Sequence, residues 1–408
     1  MTLNAIACLS VAAVSTTLSL LATGEAFAYT FTKIAVSNSI ANPFYDAFAA
    51  PSLNEQGTAV FPVWLNTERT QEAIFAGNGG PLTIVADTKS PLFNTDYDNS
   101  PAINKFAGTS IINNQGTVVF WAGLYPNPNA GAPINTGIFT SNGGSFTTIA
   151  KVDDRFKGIS AQSAINDGGT VVFTAAPDAG GIGIFTNNSG VITTIATASS
   201  FSMFASPMIN NKGIVAFSQL DFLTEESGVF ISDGKTTTTI ADSSGSYSSV
   251  IGSAINDKGT VAFLGTLKAI GDGIFSSSGG VITTLVDTSG SFSNFSTPAI
   301  NNQGLVAFKG TLDTGVSGIF TGSDPVANKV IAIGDTLFGS KITELSFSRK
   351  GLNNMGQITF RAIFEDGTVG IFRADPETKS VPEPASVLGL LAVSALGVSS
   401  IRRQQKLR

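Results

Sequence analysis

Ala164-Ile165-Asn166-Asp-Gly-Gly169-Thr-Val-Val-Phe173 holds the plan of this chain: a short apolar lead-in, an Asn, a Gly three residues on, and an apolar run closed by Phe. Working outward, the same phrase recurs from Asn54 and Gly57 to Phe61, from Asn113 and Gly116 to Phe120, and from Asn210 and Gly213 to Phe217. It returns from Asn256 and Gly259 to Phe263, from Asn301 and Gly304 to Phe308, and from Asn353 and Gly356 to Phe360. Successive Asn residues lie 59, 53, 44, 46, 45 and 52 positions apart. A period in that range marks a repeat architecture. Asn can hydrogen-bond its own backbone two residues on, and Gly takes positive φ without a Cβ clash, so each Asn-x-x-Gly reads as a tight hairpin turn. At these Asn and Gly positions the spacing predicts turns that serve their own hairpins only; a ring of repeated ligand sites on one rim is the competing reading.

Two further phrases complete the unit. Gly183-Ile-Phe185 stands for the second, with copies at Ala73, Gly137, Gly228, Gly273, Gly318 and Gly370. Thr194-Ile-Ala196 stands for the third, with copies near Thr83, Thr148, Thr239, Thr284 and Val330. One unit therefore carries four short runs rich in Val, Ile, Thr and Phe, the composition of strands. The run after each turn is apolar on consecutive residues, which implies burial on both faces. Phe120, Phe173 and Phe263 belong to the packing between units. The third phrase follows the second only six times, and the missing copy is Phe31-Thr-Lys-Ile-Ala35, far from the last repeat in sequence. The expected fold is all-β: a seven-bladed β-propeller closed by an N-terminal strand, with its edges removed by closure. An open solenoid is the competing architecture, and it has no use for the orphan strand.

The ends differ from the body. Residues 1–28 lack Lys and Arg, are apolar from Ala5 to Leu21, and finish Ala26-Phe27-Ala28, a cleavage pattern for an exported chain. Cys8, the single cysteine, would leave with that segment, removing disulfides and thiol chemistry. The last stretch reads Val381-Pro382-Glu383-Pro384, then an apolar run from Val387 to Ile401, then Arg402, Arg403, Lys406 and Arg408. That run is short for a spanning helix, and the basic flank favours a cytoplasmic end. Residues 381–408 resemble the PEP-CTERM sorting tail of Gram-negative bacteria, in which Pro-Glu-Pro precedes a hydrophobic helix and a basic end. The resemblance implies passage through the inner membrane and processing by an exosortase-type protease. The body, about residues 30–375, also resembles the Asn-x-x-Gly-x-x-x-Phe tandem-repeat proteins found ahead of surface-anchor tails, which carry no assigned activity. The domains expected are 1–28 (signal peptide), 29–380 (propeller) and 381–408 (sorting tail).

With 42% hydrophobic and 13% charged residues, the 408-residue chain can bury a large core. Removing Glu25, Glu383 and the four basic tail residues takes 23 basic and 29 acidic residues to 19 and 27, a net charge of −8 for the body. An acidic body argues against nucleic acid, whose phosphates need clustered Lys and Arg. The absence of histidine removes His triads and the usual catalytic zinc site. No catalytic motif is present, so no catalytic residue is assigned. Paired carboxylates could still serve a glycan hydrolase, and the candidates are Asp96 with Asp98, Asp153 with Asp154, and Glu225 with Glu226. Asn94, Asp96 and Asp98 alternate oxygen ligands as calcium loops do, but lack the Gly and distal Glu of an EF-hand. Calcium is the one cofactor candidate. Trp64 and Trp121 follow the Phe positions of units one and two, beside long insertions where function rides on loops. Blade packing and sugar stacking are both open to them. The reading is an exported, non-catalytic propeller at the outer surface or in the extracellular matrix, binding or structural; the resemblance of its tail to exosortase-sorted proteins implies a role towards exopolysaccharide. A carboxylate-based glycan hydrolase is the alternative.

Overall fold

The computed structural model describes residues 28–37, 46–47, 49–69, 71–88, 103–125, 135–153 and 155–377. Every regular element among them is a strand or bridge, and none is helical. The strands form seven antiparallel sheets that follow one another along the chain. Blade 3 is the most regular: Phe156–Ile165, Val171–Pro177, Ile182–Asn188 and Val191–Ala198 pair in that order from the axis outward. Blades 2, 4 and 5 repeat the pattern from Ile103–Ile112, Ser202–Ile209 and Tyr247–Ile255 respectively. In blades 1 and 6 the inner strand is broken into two pieces, Asp46–Ala47 with Ser52–Leu53, and Phe292–Phe295 with Ala299–Ile300.

Blade 7 takes its three inner strands, Ser340–Leu352, Ile358–Phe364 and Val369–Pro376, from the end of the chain and its outer strand, Tyr29–Val36, from the beginning. Tyr29 pairs with Pro376 and Val36 with Gly370. Ile34 and Ala35 are buried there, among residues of blades 1 and 7. The orphan strand thus closes the ring, and an open solenoid is overturned.

The Phe phrases are one device. In every blade the Phe of the second strand stands directly opposite the Phe of the third: Phe61–Phe75, Phe120–Phe139, Phe173–Phe185, Phe217–Phe230, Phe263–Phe275, Phe308–Phe320 and Phe360–Phe372. Ring centroids in these pairs are 5.5–6.3 Å apart, within the range of favourable aromatic contact. The Gly of Gly-x-Phe makes room for this: a Cβ added at Gly228 would fall 2.5 Å from the Phe230 ring. Blade 1 has Ala73 at that position, and its ring pair is the most tilted, at 44°. Val171, Val172 and Phe173 are all fully buried, so consecutive apolar residues do face neighbouring blades on both sides.

Candidate functional site

The seven Asn-x-x-Gly turns lie on one face of the ring. Every turn Gly has positive φ: 73° at Gly57, 78° at Gly116, 79° at Gly169, 81° at Gly213, 86° at Gly259, 87° at Gly304 and 75° at Gly356. These glycines give the turns their shape, and the Gly57 carbonyl also accepts from Arg373 Nη1 at 2.7 Å. None of them borders the axial cavity, which the Asn face surrounds, while Gly304 lines a separate cleft of about 430 Å³.

The Asn residues are a different matter. In each turn the Asn Oδ1 accepts a hydrogen bond from the backbone N–H four residues on, at 2.9–3.0 Å. The same side chain donates through Nδ2 to the carbonyl of the Asn in the next blade. Asn54 donates to Asn113, Asn113 to Asn166, Asn166 to Asn210, Asn210 to Asn256, Asn256 to Asn301, Asn301 to Asn353, and Asn353 back to Asn54, at 2.9–3.4 Å. The expectation of turns that serve only their own hairpins is therefore corrected for Asn: these residues also link all seven blades in a circuit. Of the usual turn residues only Asn carries its acceptor and its donor on separate atoms, so ionised Asp keeps the turn acceptor but has no donor for the link, and Ser has a single oxygen where two atoms are used. All seven are 3–7% exposed, where an unmet polar group is penalised.

A second circuit surrounds the axis one residue later. The backbone N–H of residues 55, 114, 167, 211, 257, 302 and 354 donates to the side-chain oxygen of its counterpart in the following blade. This collar consists of Glu55, Asn114, Asp167, Asn211, Asp257, Asn302 and Asn354. Asp167 and Asp257 each take further bonds from flanking Asn amides. Beneath the collar the residues preceding each turn Asn form an apolar girdle, Ile and Leu in all seven blades. Collar, girdle and Lys350 line a cavity of about 100 Å³ that opens to solvent. Burial raises the Glu55 carboxyl, and Asp167 nearby adds to the effect. Burial also acts on Asp257, but hydrogen bonds from Asn211 and Asn302 outweigh it and lower that carboxyl.

Blade 7 breaks the sevenfold pattern on the axis. Between Phe347 and Leu352 its inner strand spends five steps where the partner strand, from Phe360 to Ile358, spends two. The three extra residues form a bulge that carries Arg349 and Lys350 into the channel. Arg349 crosses to blade 5, donating through Nη1 to the Ser253 carbonyl at 3.0 Å. Desolvation lowers its guanidinium to about 10. Half-buried Lys350 borders both the collar cavity and a second one of about 200 Å³ reached from the other face. Burial pushes its amine down, and Asp167, Asp257 and Glu55 push it back up.

The opposite face carries the irregular loops. In blade 4 a cleft of about 310 Å³ is lined by Gln219, Asp221, Thr224, Glu226, Asp242 and Ser243, with Phe230 among its walls. Hydrogen bonds from Leu223 N–H, Ser202 Oγ and Thr224 N–H lower the Asp221 carboxyl. At its rim Phe222 and Leu223 are 58% and 69% exposed, and the Phe222 N–H bonds the carbonyl of Phe201, itself exposed. Glu225 and Glu226 sit in the adjoining turn, both exposed, Glu225 with φ 59°. Of the other carboxylate candidates, Asp153 is exposed and accepts a hydrogen bond from the nearby Arg155 N–H, while Asp154, Asp96 and Asp98 lie outside the described residues, as does Asn94.

Trp121 lies within Val118–Tyr125, 8% exposed, and donates to the Ile159 carbonyl at 3.1 Å; it packs blade 2 against blade 3. Trp64 is partly exposed on the loop face, with the Arg69 guanidinium 4.4 Å from its ring centre. Its indole N–H bonds Glu72, whose buried carboxyl is raised by desolvation. Among the described residues no three His, Cys, Asp or Glu side chains come together as a metal cluster, and no helix is long and apolar enough to cross a membrane. Ala26 and the sorting-motif residues Pro382, Glu383, Pro384, Arg402 and Arg403 lie outside the described residues; Ala28 accepts a hydrogen bond from the Glu377 N–H.

Fold and axis together define a closed seven-bladed β-propeller with a plugged channel. The chain belongs to a family of unknown function, DUF7453, whose model matches residues 32–388. No curated protein matches it. It is similar in structure to an oligogalacturonate lyase from Vibrio parahaemolyticus, with TM-score 0.53 and 11% identity over 87% of this chain and 97% of that one. It is also similar to a puromycin-hydrolysing peptidase of Mycobacterium tuberculosis, with TM-score 0.52 and 13% identity over 86% of this chain and 57% of that one. An oligogalacturonate lyase in complex with manganese gives TM-score 0.52 and 9% identity over 86% of this chain and 98% of that one. At such identities the likeness is one of fold.

Proposed function

We propose that the protein is exported by residues 1–28, sorted through its Pro382-Glu383-Pro384 tail by an exosortase-type protease, and retained at the outer surface or in the extracellular matrix as a non-catalytic module that binds or organises polysaccharide. The observation that carries the binding role is the blade-4 cleft. It combines hydroxyl, amide and carboxylate groups with the Phe230 ring in its wall and exposed Phe222 in the loop between its lining residues Asp221 and Thr224, the mixture that grips polyols, at a volume within the range of ligand pockets, about 300–1,000 Å³. The axial cavity of about 100 Å³ is smaller than such pockets, and its carboxylates already accept hydrogen bonds from the collar.

A hydrolase is the second reading, because three carboxylates, Asp221, Glu226 and Asp242, line the same blade-4 cleft. A glycan array with the residue 29–380 body, run with calcium and then with chelator, tests both. Saturable binding that Asp221→Ala with Glu226→Ala removes supports the cleft; loss of binding in chelator adds an ion to it. A blank array with an intact fold overturns the binding role, and release of reducing ends from any bound glycan moves the assignment to hydrolysis.

A further inference from the structure

A wedge is missing from the rim between blades 5 and 6. In blades 2, 3 and 4 the residue two past the third-strand Phe reaches the outer strand of the preceding blade. Ser141 Oγ donates to the Val85 carbonyl at 3.1 Å, Asn187 Nδ2 to that of Ile149 at 2.7 Å, and Ser232 Oγ to that of Ile195 at 3.4 Å. Blade 6 has Gly322 two past Phe320, and so has no side chain to send towards Leu285 of blade 5. Here lies the cleft of about 430 Å³. Leu285, Leu305, Val306 and Phe308 supply its apolar lining, and Asp324 is the one charged residue among those that line it. Hydrogen bonds from Ala327 and Val326 N–H lower that carboxyl and keep it ionised.

The two outermost strands of blade 7 meet this cleft. Pro376 Cγ and Leu305 Cδ2 lie 3.5 and 3.7 Å from the point where a Cβ would stand on Gly356. Tyr29, paired with Pro376, hydrogen-bonds Thr321 of the cleft lining, and Tyr29 and Leu305 pack on one core. The chain therefore leaves Glu377 beside the cleft, and the family match continues to residue 388. We propose that the cleft seats the chain's own segment from Thr378 to Pro384, with Val381 and Pro382 against its leucines. Pro-rich segments are extended and dock in apolar grooves, and Lys379 complements Asp324 in charge. Pro382 is five residues past Glu377, a reach of about 17 Å. In this seat Pro382-Glu383-Pro384 is covered by the propeller, and a protease must draw it out before cutting. That consequence rests on the sorting proposed above; the seat itself does not.

The test is limited trypsin digestion at Lys379 in the chain of residues 29–408, held in detergent, beside a free peptide of residues 375–386. In the unaltered chain the Lys379 cut should run at about one-tenth of the peptide's rate or less, because cleavage follows the fraction of time the segment is out. The protection should not change with protein concentration. Leu305→Glu should remove it, and so should Val381→Ser with Pro382→Ser, each set against a peptide of matching sequence. The tail variant leaves every strand intact, so it reads the contact even where Leu305→Glu does not fold. Cutting at the peptide's rate in the unaltered chain overturns the seat, as does protection that the tail variant leaves in place. Protection that fades on dilution gives the cleft to the tail of a second copy and overturns it too.

Discussion

The two faces of this ring are built from the same blades and are held by opposite means. On the Asn face all seven turns are alike, and each is bonded to the next at two successive residues. On the loop face, among the described residues, no such bond circuit runs round the ring; the connections differ in length, and exposed Phe201, Phe222 and Leu223 stand beside the blade-4 cleft. Regularity is what a circuit requires, since one defective link opens it. A ligand needs the reverse, a group present in one blade and absent from the others. Periodic residues maintain the scaffold, and departures from the period are where specific chemistry is found. Blade 7 extends the rule to the axis, where its bulge supplies Arg349 and Lys350.

The comparison can be broken most severely at the seam. Ala35 is fully buried in the strand that closes blade 7, so Ala35→Asp should cost about 3–5 kcal/mol or prevent folding, as unpaired buried charges do. A denaturant midpoint equal to that of the unaltered body would show the ring standing without its closure. Next in size, Asn210→Ala removes acceptors for Lys212 and Ile214 N–H and the donor to Asn256, a loss of about 2–4 kcal/mol by the same measurement. A smaller effect concerns pH. Lys350 has a folded-state value below 10.5, so between that lowered value and 10.5 the folded chain binds fewer protons than the unfolded one, and stability rises with pH across the interval. The stability of the unaltered body relative to Lys350→Met should therefore climb as pH approaches 10.5; a flat difference contradicts the lowered amine. Smallest of all, Phe222→Ser on the loop face should stay within about 0.5 kcal/mol while weakening glycan binding.

Much of the scaffold was legible because it repeats. Seven phrases fix seven blades, and the orphan copy at Phe31–Ala35 fixes the closure, since a strand missing from one end must be supplied by the other. The Phe phrases also read correctly as packing, although their facing pairs required the register. The turn glycines, such as Gly116, Gly259 and Gly356, take the positive φ that their spacing after Asn implies. The double duty of the Asn residues was not legible. Turn chemistry alone accounts for Asn followed by Gly, and nothing in one copy of Asn210-Asn-Lys-Gly213 tells of Asn256 in the next blade. The collar was hidden for a related reason: Glu55, Asp167 and Asp257 stand 112 and 90 residues apart and look like ordinary turn residues until the ring gathers them. Lys350 had one faint signal, the longer step of 52 residues before Asn353, which the bulge in part absorbs. The blade-4 cleft arises from turns with no period, and only Glu225 and Glu226 drew notice to it in advance.

The Asn side chains link blades as well as shape turns, and Asn210→Asp separates the two roles. Aspartate keeps the acceptor for Lys212 and Ile214 N–H but turns a second oxygen towards the Asn256 carbonyl, 3.0 Å from the present donor. Equilibrium unfolding of this variant beside Asn210→Ala is the measurement to make. The linked ring predicts a loss of about 2–4 kcal/mol, matching the alanine variant. Stability within about 0.5 kcal/mol of the unaltered body would contradict it, leaving the seven Asn residues as turns alone.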